Sequence, residues 1–414
     1  EPFFPTKPAA GTGRLPEPER YSFGFFLFFL IHFPADSALS LFYNKDNGGI
    51  MKKTGLMLLA AALLLGQSPY AQACTGIAFA AQDGTQLQAR TIEWAGYPLG
   101  SKLIILPRGQ KHTSLTLGGQ NGLSWTNKYG AAGISVVKDE FIGEGVNEKG
   151  LAAGVFYFVG YGSLGAYNPK KASKSVGDME LVGWLLTNFA TVEEALKGLK
   201  KVEIVPIYPP EKGQTSAPTG HWRIADATGR SVVLEIENGG VRHIYENTAG
   251  VLTNSPAFPW QTTNLNNYVH MQTGEVHPQN LGGTALKAFG AGSGMWGLPG
   301  DITPPSRFVR AFFYNRTAPV PKDAQTGVLQ AFHILNNFDI PIGVEFADKS
   351  QIPDMPSATQ WTTVTDMTRP ALYYRTMYNS RIRKVDLGSI DFSTVGYQVL
   401  PLDKTSEEIE QIRF

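Results

Sequence analysis

A single cysteine, Cys74, carries the clearest sign of chemistry in this chain of 414 residues. It directly follows Ala71-Gln72-Ala73, which places small residues at the two positions that a signal peptidase reads. Cleavage there would put a thiol and a free α-amine on the same carbon. Their unperturbed pKa values are about 8.5 and about 8, so the amine can accept the thiol proton and the thiolate can attack a carbonyl. The sequence therefore predicts a nucleophile that carries its own base.

The segment before Cys74 has the order of a secretory signal peptide. A positive start, Met-Lys-Lys at 51–53, precedes an apolar run at 56–65 and a break at 66–70. This order is typical of signal peptides, and the run is too short to cross a bilayer, which needs roughly 20 residues. We therefore predict a signal peptide at 51–73, with a buried helix as the alternative interpretation.

Residues 1–50 do not fit a protein that begins with a signal peptide. They hold a proline-rich start and a phenylalanine-rich run at 25–31 without amphipathic periodicity. We predict that 1–50 is an upstream extension outside the native protein, with Met51 as the true start. A second membrane-targeting element is the alternative. Residues 74–414 are then predicted to form a single domain, periplasmic or secreted.

Two other roles for Cys74 stay open. A cysteine can be a small buried core residue, and one that follows a cleavage site can be the attachment point of a lipoprotein. Lipoprotein sites usually carry leucine three residues before the cysteine, where this chain has Ala71. Lipidation would also acylate the amine and remove it as a base. A lipid-anchored binding protein is therefore the alternative from a different functional class.

Composition excludes several other classes of protein. The chain has 36 Lys and Arg against 35 Asp and Glu, which argues against nucleic-acid binding and against a polybasic membrane anchor. A hydrophobic content of 43% excludes a disordered chain. One cysteine rules out an internal disulfide and a multi-thiolate metal site, and the histidines show no metal-ligand spacing. We predict neither a metal nor a cofactor.

Hydrophobic patterns predict strands, then helices, then strands again, an order that argues for an α+β fold. Strand patterns occur at 75–81, 87–94, 102–106, 133–137 and 151–161, a β-meander at 221–225, 231–237 and 241–245, and late strands at 373–375 and 384–387. Asp178 can cap a helix that runs to Phe189, and Thr191 with Glu194 forms a capping box for a second helix. Later helices are predicted at 304–315 and 328–336.

Several separate motifs occur in the order found in one family. They are Cys74-Thr75 and the segments 89–94, 145–151, 252–256, 260–265, 297–301 and 305–310, with a weaker match at 338–341. From Cys74 to about Tyr374 the sequence resembles the choloylglycine hydrolase family of N-terminal-nucleophile hydrolases, which includes bile salt hydrolases and penicillin V acylases. The resemblance implies a four-layer αββα sandwich in which Cys74 attacks an amide.

The resemblance also implies roles for two residues of the 89–94 motif. Arg90 would hold a cation near the thiolate and favour its ionised form. Glu93 stands where the family more often has aspartate, the carboxylate that orients the N-terminal amine. A regular strand puts these two side chains on opposite faces, so we expect a bulge or a strand end there. Without the motif, each is more simply interpreted as a surface residue.

Three further residues match positions around the family's nucleophile. The Asn254 side chain and the backbone N–H of Tyr157 would donate to the oxyanion of the tetrahedral intermediate. Arg307 would hold Cys74 and its carboxylate partner in place. The alternatives are a turn residue for Asn254, before Ser255-Pro256, and a cation on a helix surface for Arg307.

The implied substrate is a small amide, and conjugated bile salts are favoured because they are the family's commonest assignment. Tyr157 tilts the specificity away from them, since bile salt hydrolases commonly have asparagine there and penicillin V acylases tyrosine. Penicillin V and N-acyl amides of the acyl-homoserine lactone type are the alternatives. Four aromatic residues are candidate pocket walls or, equally, core residues: Phe141, Phe156, Tyr161 and Trp296. The family also implies a homo-oligomer such as a homotetramer.

Overall fold

The computed structural model of the protein describes residues 72–209, 219–405 and 407–414. The predicted upstream extension and all but the last two residues of the predicted signal peptide lie outside these ranges. Within the described ranges, no helix is long and apolar enough to cross a membrane.

Strands outnumber helices in the described ranges. The strands are β1 (Gln72–Ala80), β2 (Gln86–Trp94), β3 (Lys102–Leu106), β4 (Lys111–Thr113), β5 (Ser124–Thr126), β6 (Ala131–Val136), β7 (Lys138–Asn147), β8 (Ala152–Tyr157), β9 (Ser175–Gly177), β10 (Glu203–Val205), β11 (Gly220–Ala225), β12 (Ser231–Glu237), β13 (Val241–Glu246), β14 (Val251–Leu252), β15 (Gln279–Leu281), β16 (Thr284–Leu286), β17 (Thr359–Asp366), β18 (Ala371–Thr376), β19 (Asn379–Asp386) and β20 (Gln398–Pro401). The α-helices are α1 (Leu181–Asn188), α2 (Val192–Leu199), α3 (Phe258–Asn264), α4 (Pro304–Thr317) and α5 (Ala324–Leu335).

Two antiparallel sheets lie face to face, with helices on the outside of each. One sheet has six strands in the order β14-β1-β2-β17-β18-β19, and the other has eight in the order β13-β12-β11-β8-β7-β6-β3-β20. Helices α4 and α5 pack on the six-stranded sheet, and α1 packs on the eight-stranded sheet against β7 and β8. This is a four-layer αββα sandwich, so the predicted α+β fold is confirmed.

Apolar side chains fill the spaces between these layers. The larger core includes Ile77 and Leu87 of the six-stranded sheet, Ile134 of the eight-stranded sheet and Phe308 of α4. A second core, which includes Leu185 of α1, lies on the other face of the eight-stranded sheet. Each sheet therefore buries both faces, which is why its central strands show no clean alternation of apolar and polar residues.

The hairpin of β1 and β2 positions Cys74. The Asp83-Gly84 turn forms as predicted, and Gly84 has a φ of 85°, which glycine adopts without steric cost. The two strands pair over their whole length, from Gln72 opposite Trp94 to Ala80 opposite Gln86. The turn therefore fixes which residues of β2 lie beside Cys74.

The helix predictions hold with shifted ends. Helix α1 begins at Leu181, after a 3₁₀ turn that contains Asp178. The Thr191 side chain accepts from the backbone N–H of Glu194 as predicted, but the Glu194 carboxylate accepts from Ala190 and so completes no capping box. The sequence pattern missed β17, a fully buried strand at the centre of the six-stranded sheet.

An arm at 269–298 projects large apolar side chains into solvent. It contains the small hairpin of β15 and β16, and its exposed residues include Val269, Leu281, Phe289 and Trp296. Phe289 is fully exposed and Val269 is 87% exposed. Exposed apolar side chains concentrated in one segment are typical of a surface that contacts another molecule.

Candidate active site

Cys74 lies in an interior strand of the six-stranded sheet, with its side chain facing the eight-stranded sheet. It is 5% exposed and its thiol is free. Its nitrogen is an amide, joined to Ala73, and this N–H donates to Oδ1 of Asn254 at 2.8 Å. In the chain described here, Cys74 therefore has no free α-amine.

The thiol needs a base before it can act as a nucleophile. Burial raises the pKa of Cys74 above its ordinary value, and the Glu93 carboxylate adds to the increase. The Arg90 and Arg307 guanidiniums and the Tyr157 backbone N–H lower the same pKa, but burial outweighs them. Arg90 thus acts in the expected direction without ionising the thiol by itself. A proton acceptor next to Sγ, such as a free α-amine, is required.

Arg90 lies next to the sulfur of Cys74 and hydrogen-bonds to it. Its Nη2 donates to Cys74 Sγ at 2.8 Å, and its Nη1 donates to the carbonyl oxygens of Val155 at 2.6 Å and Gly143 at 3.1 Å. The guanidinium lies over the Phe156 ring, 4.1 Å from its centroid. Arg90 comes from one sheet, and these two carbonyl partners come from the other. The side chain therefore connects the two sheets by hydrogen bonds next to Cys74.

A buried carboxylate balances this cation. Glu144 of β7 lies 3.6 Å from Nη1 of Arg90 and 3.3 Å from Nη2 of Arg223. The side chain of Gln88 also donates to Glu144, at 2.7 Å. All four side chains are buried. Buried charges are tolerated when they are paired and hydrogen-bonded, so this network lets a cation stay beside Sγ in a dry interior.

Glycine at position 76 makes room for the network. A Cβ atom there would lie 2.7 Å from Nη1 of Arg223 and 2.8 Å from the Phe156 ring. Real Cβ atoms essentially never come so close to other heavy atoms. Gly76, two residues after Cys74, therefore lets the side chains of the eight-stranded sheet come up against β1.

Asn254 and Tyr157 meet at the mouth of the gap between the sheets. Asn254 Oδ1 accepts from the Cys74 N–H at 2.8 Å and from Nη2 of Arg307 at 2.7 Å, and its Nδ2 donates to the Tyr157 carbonyl at 2.8 Å. These partners fix the orientation of the amide. Because an amide nitrogen carries two hydrogens, the second N–H can serve an oxyanion formed next to Sγ. The Tyr157 backbone N–H already faces the thiol.

Arg307 of α4 hydrogen-bonds to the backbone of Cys74. Its Nη1 donates to the Cys74 carbonyl and, at 2.8 Å, to the Thr75 hydroxyl. Its Nε donates to the Ile302 carbonyl at 2.9 Å. The side chain is fully buried, so the alternative of a helix-surface cation is wrong.

Glu93 lies on the opposite face of the sheet from Arg90, one residue before the end of β2, and β2 has no bulge between the two residues. The strand pairs continuously with β1 through both residues, with Gly76 opposite Arg90 and Ala73 opposite Glu93. The register shift occurs instead in β17, between Thr359 and residue 361. Side chains alternate along a strand, so the Arg90 face takes the sulfur and the Glu93 face lies towards Arg307.

The chain is similar in sequence and structure to known amide hydrolases. A family model described as linear amide C–N hydrolases, choloylglycine hydrolase family, matches residues 74–400. A bile salt hydrolase/transferase of Clostridium perfringens is 33% identical over 317 residues, which cover 76% of this chain and 92% of that protein. The chain belongs to the choloylglycine hydrolase family.

Other members extend the similarity. The penicillin V acylase of Pectobacterium atrosepticum is 30% identical over 386 residues, which cover 87% of this chain and 92% of that protein. A crystal structure of a mutant conjugated bile acid hydrolase from Clostridium perfringens superposes with a TM-score of 0.70 at 30% identity, covering 82% of this chain and all of that one. As a member of the choloylglycine hydrolase family, the protein is a hydrolase of linear amide C–N bonds.

The choloylglycine hydrolase motifs in the sequence did not identify a second acid, Glu345, on the face of the sheet that carries Glu93. Burial raises the pKa of Glu345 to about 7, the Glu93 carboxylate adds to the increase, and Arg307 opposes it. Burial likewise raises the pKa of Glu93 to about 7, against the effects of Arg307 and the Thr91 hydroxyl. Neither carboxyl has a hydrogen-bond partner among the described residues. Glu345 is 252 positions from Glu93 in a sequence that shows no motif around it, so only the fold brings them together.

The candidate pocket residues separate into two groups. Phe156 is fully buried between the Arg90 and Arg223 guanidiniums, and Phe141 is buried in the larger core. Both therefore follow the core alternative rather than lining open space. Tyr161 is 47% exposed and Trp296, on the arm, is 82% exposed, so these two remain candidates for contact with a substrate.

Metal binding has no support in the described ranges. They contain no group of three or more His, Cys, Asp or Glu side chains that could hold a metal ion.

Proposed function

We propose that the protein is an exported N-terminal cysteine amidohydrolase, with Cys74 as the nucleophile once cleavage removes Ala73. The main observation behind this proposal is that three side chains converge on Cys74. Arg90 contacts its sulfur, and Arg307 and Asn254 contact its backbone. The two unpartnered carboxyls on the nitrogen side add to it, because a free α-ammonium is a cation that they could pair with.

The proposed reaction has two halves. The α-amine of Cys74 takes the thiol proton, and Sγ attacks the amide carbonyl carbon of the substrate. The second N–H of Asn254 and the Tyr157 N–H stabilise the oxyanion, and such donors can contribute several kcal/mol. The α-ammonium then protonates the leaving nitrogen as the C–N bond breaks and an acyl-thioester remains. Water, deprotonated by the same amine, hydrolyses the thioester and restores the thiol.

The state of the terminus tests this proposal directly. Intact mass and N-terminal sequencing of native protein should give a chain that starts at an unmodified Cys74. A diacylglyceryl adduct would support the lipid-anchored binding protein instead. A chain that starts upstream of Cys74 in fully active enzyme would refute the proposal. Cell fractionation should recover the protein in the periplasm or the medium.

Conjugated bile salts are the proposed substrates. The similarity to the Clostridium perfringens bile salt hydrolase/transferase, whose length is 92% covered, supports them. Tyr157 and the longer alignment with a penicillin V acylase support penicillin V as the second candidate. Purified enzyme should be assayed side by side on glycocholate, taurocholate and penicillin V. Release of glycine or taurine supports the first choice, and activity on penicillin V alone refutes it.

The exposed arm supports the proposal of a homo-oligomer. Isolated large apolar side chains are common on protein surfaces, but a concentration of them marks a contact surface. Phe289, which is fully exposed, and Leu281 lie in the same arm. Light scattering should show a multiple of the chain mass, and the double variant Leu281→Ser/Phe289→Ser should lower it. A monomeric wild-type protein would refute this part of the proposal.

A further inference from the structure

A fully buried histidine lies behind the two candidate oxyanion donors. His221 of β11 has no exposed surface. Its ring stacks on Phe158, with centroids 4.4 Å apart and planes 6° from parallel. The neighbouring residue of β11, Gly220, pairs with Tyr157 in β8. His221 therefore contacts the segment that presents the Tyr157 N–H to the thiol.

The same ring reaches the other sheet. Nε2 of His221 lies 3.0 Å from the Thr253 carbonyl oxygen, and Nδ1 lies 2.9 Å from Oε1 of Glu235. Thr253 immediately precedes Asn254 in the chain. The ring thus touches one residue beside each proposed donor, Phe158 after Tyr157 and Thr253 before Asn254.

The partners of the ring fix its orientation. A carbonyl oxygen can only accept, so Nε2 of His221 carries a hydrogen and donates it to Thr253. Nδ1 forms a second hydrogen bond with the Glu235 carboxyl. Both ring nitrogens are therefore hydrogen-bonded.

Glu235 is held in its turn. Its Oε1 also accepts from the backbone N–H of Phe258, at 2.9 Å, at the start of α3. Glu237, two residues further along β12, lies on the same face. Burial and the Glu235 carboxylate raise its pKa, His243 and His221 lower it, and it pairs with His243 at 3.9 Å. The titratable groups around the ring are therefore Glu235, Glu237 and His243.

We propose that His221 is a positioning residue for the oxyanion site: held by Glu235, its ring fixes the Thr253 carbonyl and the Phe158 ring, and so sets the gap between Asn254 and the Tyr157 N–H. This inference rests on the proposed roles of Asn254 and Tyr157 in the reaction. It assigns His221 no contact with the substrate.

Two variants separate the effect of the His221 hydrogen bonds from the effect of its ring stacking. His221→Gln keeps an N–H that can reach Thr253 but loses the stack on Phe158. His221→Phe/Glu235→Gln keeps an aromatic ring, removes the imidazole and the carboxyl together and leaves an acceptor for Phe258. His243→Gln, in the neighbouring strand, is the matched control, because its side chain is partly exposed, stacks on Tyr245 and pairs with Glu237 across 3.9 Å.

The readouts are kcat, KM and the rate at which iodoacetamide alkylates Cys74. Both His221 variants should lose roughly 10-fold or more in kcat, since loss of a whole oxyanion donor costs about 100- to 1000-fold. KM should stay within about threefold. The alkylation rate should fall much less than kcat, because the Tyr157 N–H is only one of several groups that act on the pKa of the Cys74 thiol. The control should match wild type. Unchanged kcat in both variants would overturn the proposal, as would a matching loss in alkylation, which would indicate general disruption.

Asn254→Ala distinguishes failure of this inference from failure of the proposed function. If that variant keeps full kcat, the oxyanion assignment itself is wrong. If it is inactive while both His221 variants are as active as wild type, only the role of His221 is wrong. Should both variants fail to fold, nitrogen NMR of histidine-labelled wild-type protein decides. A hydrogen on Nε2 of His221 supports the proposal, because the Thr253 carbonyl can only accept. An Nε2 without a hydrogen overturns it.

Discussion

The two faces of the six-stranded sheet at Cys74 differ in how completely their charges are paired. On the sulfur face, Arg90 makes four hydrogen bonds and an ion pair with Glu144. On the opposite face, neither Glu93 nor Glu345 has a hydrogen-bond partner among the described residues. Burying an unpaired carboxylate is costly. The cation on the sulfur face is therefore hydrogen-bonded and ion-paired. On the other face Arg307 is the cation that acts on both carboxyls, and under the proposed function a freed α-amine would add a second one.

The largest effect should come from the sulfur itself. Cys74→Ser should lower kcat/KM by roughly 1000-fold or more, because a serine hydroxyl is far less ionised than a thiol near neutral pH. Release of the amine product from the substrate measures it, with Cys74→Ala as the inactive control. Full activity of the serine variant would contradict the assigned nucleophile.

The second largest effect should come from the α-nitrogen of Cys74. A chain produced with Ala73 retained ahead of Cys74 should fold with the same melting temperature as one that starts at Cys74. Its kcat/KM should fall by about 100-fold or more, the usual contribution of a positioned general base. Equal activity of the two chains would mean that the thiol proton leaves by another route, and the contrast between the faces would lose its functional meaning.

Glu93→Gln should have the next largest effect, lowering kcat/KM by roughly 10- to 100-fold, since the α-ammonium loses its nearest charged partner. Glu93→Asp keeps the charge with a shorter reach and should recover part of the loss. The pair is measured by steady-state kinetics on one substrate. If the glutamine variant is as active as wild type, Glu93 does not orient the amine.

The smallest effect is a shift in pH dependence. The Glu93 carboxylate and burial keep the pKa of Glu345 at about 7. Removing one of two neighbouring acids lowers the pKa of the other, because like charges disfavour ionisation. In Glu345→Gln, Glu93 should therefore stay ionised to lower pH. The acid limb of kcat/KM should move down by about half a pH unit.

Asp354→Asn is the control for that shift, since Asp354 is an exposed acid in the same loop. Its pH profile should match that of wild type. An unmoved acid limb in Glu345→Gln would show that Glu345 does not act on Glu93 in the mature enzyme.

Local sequence patterns predicted the elements whose burial follows a simple period. The limits of β3 at 102–106 and the meander of β11 to β13 were predicted to within a residue. Strand β17 was missed because its sequence, Thr-Gln-Trp-Thr-Thr-Val-Thr-Asp, is rich in threonine and shows no apolar run. Threonine favours strands, but its burial here depends on β2 and β18 on either side.

The site was predictable only in part, for a similar reason. Arg90, Asn254 and Arg307 entered through the family resemblance, and the structure brings all three to Cys74. Glu345 and His221 lie in segments without a motif. Their roles depend on contacts between residues far apart in the chain, which no local period reports.

Gly76 has a consequence for the dimensions of the proposed oxyanion site. Asn254 follows a strand of one sheet and Tyr157 ends a strand of the other, so the distance between these two proposed donors depends on the spacing of the sheets. Near Cys74 the sheets are so close that even a methyl group at position 76 would collide with Phe156. A larger residue at position 76, although outside the proposed site, would therefore widen the opening that the substrate carbonyl oxygen is proposed to enter.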